Sequence, residues 1–393
     1  MTRIRFSTSR AGRLGVAALL TLGLAGGASA QSLLSSRGLG FVIEPRTTRS
    51  SALGGVSLGL PGAEISWANP AGAVGLPAGG LTASFQYDNL TSDYAGIEAS
   101  TRLARFPLVL AAFPFGSRWA VTAGLAGYLD QNYTFQRRDS LFVEGDTLQY
   151  LDLVSSTGGV GRFRVGAGYR LLPRLSIGLG LDVFTGGVER TDGRIFAPAA
   201  SPQCCTRRWD YSGLGLLGSI DWNPTEALSV SVGGSAGGTL EADPRDSTAA
   251  AFSTSVPVSV QAGATARLAP SLLVAAGGSW TAWSSIDDDL TGIGGARDGW
   301  SLQGGLEWDA LRVGARSIPL RIGGRTSALP FGGTLGGEDR WSNERVITGG
   351  TGLTLGGGAM SADVGLERGT RSGEAGLDES FWRMLVSVSV LGQ

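Results

Sequence analysis

The sequence predicts an all-β fold: a transmembrane antiparallel β-barrel of about 14 strands with an N-terminal hatch or plug segment. Three observations predict it. From about residue 79 onward, apolar residues alternate with small or polar ones. Turns along this stretch are alternately short and long. The first 30 residues read as an export signal, and no later run reaches the ~18 uninterrupted apolar residues of a spanning helix. An exported chain of this kind enters lipid only as a closed barrel, the other structure that satisfies its backbone there.

The N-terminal element comes first. Arg3, Arg5, Arg10 and Arg13 form a basic region, Leu14 to Leu24 an apolar core, and Ala28-Ser29-Ala30 a small-x-small cleavage site. The mature chain is therefore expected to start at Gln31. The apolar run is shorter than the ~20 residues of a membrane anchor, and Gln31 is not a Cys that could carry lipid.

Composition excludes other classes. The chain has 393 residues, 32 basic and 33 acidic, with net charge −1 and no His. All the basic residues are Arg. Without a basic surplus it makes a poor nucleic-acid binder, so no nucleic-acid partner is expected. Without His it lacks Ser-His-Asp and Cys-His catalysis and the usual zinc sites, and no enzyme activity or cofactor is expected. Its 64 Gly have no three-residue period, so it is not collagen.

Residues 31–78 do not alternate and are rich in Gly, Ser, Pro and Ala. They form either a compact segment that plugs the lumen or lies at its periplasmic mouth, or a disordered leader. The barrel occupies 79–393. Leu175, Ile177, Leu179, Leu181 and Val183 alternate with Ser176, Gly178, Gly180 and Asp182. The same pattern recurs at Phe163–Leu171, Val256–Thr265 and Trp382–Val390. Period two puts these sets on opposite faces of a strand. A soluble sandwich also alternates, but a polar face of Gly, Ser and Arg over long strands fits a lumen. Strands are expected to begin near 79, 105, 119, 148, 174, 208, 227, 254, 271, 298, 318, 342, 359 and 380. Short turns at 115–118, 172–174, 223–226, 269–271 and 356–358, with a longer one at 309–317, mark the periplasmic end. Loops near 89–104, 136–147, 190–208, 241–253, 285–298, 330–344 and 369–379 mark the outer end. Phe106, Phe113, Trp119, Trp222, Trp280, Trp283, Trp300, Trp308 and Trp382 near strand ends fit interfacial girdles, as ordinary packing aromatics also would.

The leading segment reads Ser51-Ala52-Leu53-Gly54-Gly55-Val56-Ser57, then Ile65-Ser66-Trp67-Ala68-Asn69-Pro70-Ala71-Gly72. This resembles the N-terminal hatch of the FadL-type long-chain fatty acid and hydrophobic compound transporters, including PorV-type outer-membrane barrels. Asp298–Trp308, Pro319–Arg325 with Leu329-Pro330-Phe331, and Glu379–Arg383 resemble late strands of such barrels. The likeness spans most of the mature chain, and Asn69-Pro70-Ala71 is its specific motif. One departure is the C-terminus, which ends in Gln393 where outer-membrane barrels usually end in an aromatic residue.

The resemblance implies a bacterial outer-membrane protein that takes up hydrophobic compounds such as long-chain fatty acids through a plugged lumen. It also implies a monomer among outer-membrane lipid and lipopolysaccharide. Leu53, Gly54, Gly55, Asn69, Pro70 and Ala71 are then the hatch and gating residues. The alternatives are a PorV-like accessory barrel that meets secretion-system proteins and a general porin. Arg162, Arg164, Arg170, Asp182, Asp221, Arg267, Asp363 and Glu367 are expected to face the lumen. They pair with one another, or an Arg among them takes a carboxylate ligand. Asp287-Asp288-Asp289 makes a solvated acidic loop or a divalent cation site. Cys204-Cys205 is expected in an outer loop, where a vicinal disulfide is a strained option.

Overall fold

The computed structural model describes residues 32–62, 64–94, 97–143, 146–196, 203–246, 249–290, 295–313, 316–335, 338–355, 358–374 and 376–392. The export signal at 1–30 and the cleavage point lie outside them. The strands are β1 (Phe41–Val42), β2 (Gly80–Tyr94), β3 (Ile97–Phe115), β4 (Trp119–Asp130), β5 (Tyr133–Val143), β6 (Asp146–Leu172), β7 (Leu175–Phe196), β8 (Gln203–Trp222), β9 (Leu228–Pro244), β10 (Phe252–Ser255), β11 (Ser259–Ala269), β12 (Leu272–Thr281), β13 (Gly299–Val313), β14 (Arg316–Leu335), β15 (Glu338–Leu355), β16 (Met360–Glu374) and β17 (Leu377–Leu391).

Fourteen of them make the barrel wall: β2–β4, β6–β9 and β11–β17, each antiparallel to the next. Pairing of β17 with β2, from Leu391↔Gly80 to Leu377↔Tyr94, closes the ring. β5 and β10 lengthen the wall through β6 and β9 at the long-loop end. Both ends of the barrel chain lie at the short-turn end, as an even strand count requires. Leu179 is 72% exposed and Ile347 71%, while the alternate Asp182 and Thr348 are each 2% exposed. The period-two pattern thus separates a lipid-facing from a lumen-facing surface. Trp119, Trp222 and Trp308 ring the short-turn end, and Trp280, Trp300 and Trp382 ring the other side of the apolar band; Trp283, expected among them, is instead buried in an apolar cluster with Tyr128, Phe184 and Phe331. A tilted strand from Trp308 back to Trp300 crosses roughly 20 Å at ~3.3 Å per residue, close to the ~25 Å of a membrane band.

Three expectations need correction. Most of the predicted outer loops are strand: β3 already begins at Ile97, β6 at Asp146 and β8 at Gln203. Above the membrane a strand no longer needs an apolar face, so its hydropathy signature ends while its hydrogen-bonded ladder continues. Cys204-Cys205 therefore sits on β8 and not in a loop. Cys205 is exposed; a bond between the two depends on the Cys204 side chain, which lies outside the described residues. The segment predicted as a loop at 285–298 contains a 3-10 helix, Trp283–Leu290, that folds back into the barrel. Its Trp283, Ile286 and Leu290 are buried. Asp287 accepts from the Ala296 N–H, and Asp289 accepts from Thr254 at 2.8 Å. Among the described residues no group of carboxylates could hold a metal ion.

Residues 32–62 and 64–79 line the inside of the barrel. They carry β1, a short helix α1 (Thr48–Ala52) and a 3-10 turn (Gly72–Gly75). The Thr47 side chain caps α1 by accepting from the Ser50 N–H. Gly54 (φ 77°) and Gly55 (φ 107°) then end it in a left-handed turn, a conformation that costs a side-chain-bearing residue energy.

Candidate functional site

The hatch motifs touch the wall at two places. Leu53, 0% exposed, and Gly54 lie on the backbones of Gly304 and Gly305 of β13, which pair with Gly324 and Gly323 of β14. A Cβ on Gly305 would come within 2.7 Å of Leu53 Cα, and one on Gly54 within 2.5 Å of the Gly304 carbonyl. The Gly54 N–H donates to Thr348 Oγ1 at 3.1 Å. On the other side, Asn69-Pro70-Ala71 lies on Gly168 and Gly178, partners across β6 and β7. A Cβ on Gly168 would be 2.5 Å from the Pro70 carbonyl, and one on Gly178 equally near Ala71 N. Asn69 Nδ2 donates to Asp221 at 3.1 Å and to Ser231 at 3.3 Å. Its Oδ1 accepts from the Gly72 N–H, and the Ala71 N–H donates to Ser219. Glycine-rich strands thus let plug backbone approach wall backbone closely.

The lumen charges behave mostly as predicted. Arg164 grips Asp182 with two 2.5 Å bonds and donates to the Trp67 carbonyl. Asp363 pairs with Arg321, and Glu367 with Arg325 and Arg383. Arg170 donates to the Val74 carbonyl of the plug. Arg267 lies near a turn and donates to the Pro270 carbonyl. Arg162 stacks over Trp67 and Tyr128 at 5.4 and 5.2 Å.

Sequence reasoning missed the larger network. A buried chain of alternating charge runs Glu379–Arg371–Glu344–Arg325–Glu367–Arg383–Asp88–Arg105–Asp130, with contacts of 2.7–3.3 Å. A second runs from the plug: Arg49–Glu307–Arg321–Asp363. The signal was present, since Arg321 and Arg325 share the parity opposite the lipid-facing Leu320 and Ile322, as Glu367 lies opposite Leu366. In the plug, burial alone would lower Arg49, but its hydrogen bond and charge contact with Glu307 outweigh that and raise it. Burial lowers the Arg46 guanidinium to about 9, with Arg325 adding repulsion. Burial likewise raises the Glu64 carboxyl above its ordinary value.

Among the described residues the wall is interrupted at a seam between β3 and β4. The β3–β4 ladder stops at Leu108↔Ala126. Beyond it Tyr128, Leu129 and Asp130 are all buried, so β4 has lost alternation and turned inward. The freed edge of β4 is taken by β1, with Phe41↔Asp130 and Val42↔Leu129, and the Ile43 N–H donates to the Tyr128 carbonyl at 2.8 Å. Above Leu108, β3 pairs with β2 alone among the described residues. The seam begins at the upper margin of the apolar band, beside the exposed Phe106 and Leu125.

Behind the seam lies a cavity of about 210 Å³. Its roof is aromatic: Tyr128, Phe184 and Trp283, with ring centroids 4.8 and 6.2 Å apart. These belong to an apolar cluster with Leu129, Ile286, Leu290 and Phe331 that fills the upper lumen. The floor carries Arg46, Gln303, Arg325 and Glu344.

The BamG family model matches residues 13–261. Among solved structures, a Pseudomonas aeruginosa FadL homologue matches with a TM-score of 0.62 at 12% identity, over 89% of this chain and 98% of that one. The CymD monoaromatic hydrocarbon channel matches at 0.55 and 16% identity, over 92% and 99%. The Ralstonia pickettii toluene transporter TbuX matches at 0.52 and 14% identity, over 89% and 99%. These structures share the FadL-type barrel fold with this chain. No curated protein matches the sequence.

Proposed function

The chain belongs to the BamG family, and from that premise we propose that it is an outer-membrane channel, not an enzyme, for passive uptake of hydrophobic compounds. The observation that carries this is the seam between β3 and β4 at the margin of the membrane band, closed by the short β1, with a partly apolar cavity behind it. With β1 displaced, an apolar solute at the membrane surface would reach the cavity through this seam without passing the charged lower lumen. The long-loop end then faces outward and the short turns face the periplasm. The solved structures of similar fold include channels named for monoaromatic hydrocarbons and toluene, which supports the same reading.

Leu53, Gly54, Gly55, Asn69, Pro70 and Ala71 hold the plug in its closed position in this proposal. The cavity is smaller than the ~300 Å³ at the low end of ligand pockets, so a long acyl chain would not fit inside it whole. Uptake of radiolabelled toluene by proteoliposomes containing the mature protein tests the channel reading. Flux above protein-free vesicles is expected, and flux equal to theirs overturns it. Mass spectrometry of an organic extract of the purified protein gives an independent check through a co-purified apolar molecule.

A second reading, a PorV-like barrel that meets exported proteins, has its own observation. The β5–β6–β7–β8 wall rises beyond the apolar band and exposes Phe135, Leu141 and Phe142, the last 73% accessible. Proteins captured with intact cells' barrel but lost on Phe142→Ser would favour it.

A further inference from the structure

One cation of the cavity has no carboxylate to itself. Arg46, Arg105, Arg162, Arg164, Arg325 and Arg383 line it, against the carboxylates Glu44, Asp182 and Glu344. Five of these Arg have carboxylates of their own. Arg46 pairs with Glu44, Arg164 takes Asp182 with both oxygens, and the charge chain serves Arg105, Arg325 and Arg383. Arg162 is left. Its nearest carboxylate is the same Asp182, at 3.9 Å, already committed to Arg164.

A second observation points the same way. Four residues lining the cavity carry buried polar atoms without a hydrogen-bond partner: Trp67 Nε1, Arg105 Nε, Arg162 Nε and Gln303 Oε1. Trp67 is 5% exposed. Three of the four are donors, so the cavity lacks acceptors. A buried donor without a partner costs about 1–3 kcal/mol, which native proteins relieve with a ligand or ordered water.

The shape adds the other half. The Arg162 guanidinium lies over the Tyr128 ring, 5.2 Å from its centroid, and over the Trp67 ring at 5.4 Å, so it forms part of the ceiling of the cavity. A molecule whose ring lies against Phe184 and Trp283 brings a substituent to Arg162 and Trp67. Size selects among candidates: a cavity of about 150 Å³ accepts a benzene molecule, so 210 Å³ holds one ring plus a small acidic group.

We propose that the cavity is a binding site for compact aromatic carboxylates, with Arg162 as the anion partner and Trp67 Nε1 as a neutral donor beside it. This rests on the uptake reading and narrows its substrate class, away from both plain hydrocarbons and long acyl chains. The test is calorimetric titration of the purified full-length mature protein with benzoate, toluene and decanoate, repeated on R162Q and R162K.

Benzoate is expected to bind tightest. R162Q should weaken benzoate at least tenfold, while a far-UV circular dichroism spectrum and unfolding midpoint equal to wild type report that the variant is folded. R162K should recover part of the loss. Toluene binding as tightly as benzoate, or benzoate indifferent to R162Q, overturns the carboxylate assignment and leaves uptake standing. Binding of none of the three overturns it as well, with water satisfying the orphaned atoms; the proteoliposome flux then decides the uptake reading separately.

Discussion

The plug meets two different walls. Toward β13–β17 it meets charge and hydrogen bonds: Arg49 on Glu307, Thr48 on Ser387, Ser32 on Glu379, and Leu53-Gly54 seated on paired glycines. Toward β3 and β4 it meets oil. Ile65, Trp67, Val74 and Leu76 pack on Leu108, Leu110, Ala112, Ala120 and Ala126. Buried ion pairs fix orientation and distance, whereas apolar contact is non-directional. One wall thus holds the plug in register by directed bonds, and the other packs on its side chains without direction, with Arg164 and Arg170 holding the Trp67 and Val74 carbonyls. The seam lies above the apolar wall.

The strongest test of that asymmetry removes a hub of the charged wall. Arg325 bonds Glu344 and Glu367 at once, with its side chain 1% exposed. Arg325→Leu leaves both carboxylates buried with less compensation, a class of change that costs about 3–5 kcal/mol. Denaturant unfolding of the detergent-solubilised barrel should show a loss of that order. A loss below about 1 kcal/mol would mean the chain of charges is not a structural unit.

Next comes the glycine seat. Gly323→Val puts a branched side chain onto the Leu53-Gly54 backbone. The closed barrel wall leaves it little room, so about 1–3 kcal/mol is expected. The plug should also be displaced, and single-channel conductance should rise. Gly218, with no atom near its missing Cβ, is the control: Gly218→Ala should change neither. Asn69→Ala removes the donor to Asp221 and Ser231 and the acceptor for Gly72, a loss of about 1 kcal/mol. Conductance of this variant and of a barrel lacking 31–78 should exceed wild type; no increase would remove these residues from any role in closure.

These experiments also mark what was legible in the residues. All fourteen barrel strands were readable, because Leu179 facing lipid and Asp182 facing the lumen obey one local rule repeated along the chain. Asn69-Pro70-Ala71 was singled out by resemblance as a hatch motif, and the structure places it against Gly166, Gly168 and Gly178, where added side chains would crowd it. The charge chain was half readable. Parity assigns Arg325 to the lumen, but its pairing with Glu344 and Glu367 depends on strand register over dozens of residues. The seam was not read at all. Its only local trace is the run Gly127-Tyr128-Leu129-Asp130, where alternation fails, and what replaces the lost β3 partner comes from Phe41 and Val42, far away in sequence. The outer loops were misjudged because strands above the membrane carry no hydropathy signal.

The smallest effect on stability should accompany the most informative change in permeability. β1 seals the seam with two paired residues and one further hydrogen bond, from the Ile43 N–H to the Tyr128 carbonyl. Ile43→Pro deletes that donor and nothing in the charged wall. The net cost of one such bond is about 0.5–1.5 kcal/mol, so unfolding should barely move. If β1 is the element that keeps solute from the seam, toluene flux into proteoliposomes should rise several-fold while ion conductance stays at the wild-type level, since the lower plug is untouched. A rise in both would relocate the barrier to the plug as a whole. Unchanged flux with β1 weakened would mean that the seam is a fixed feature of the wall and that closure resides in the aromatic cluster above it.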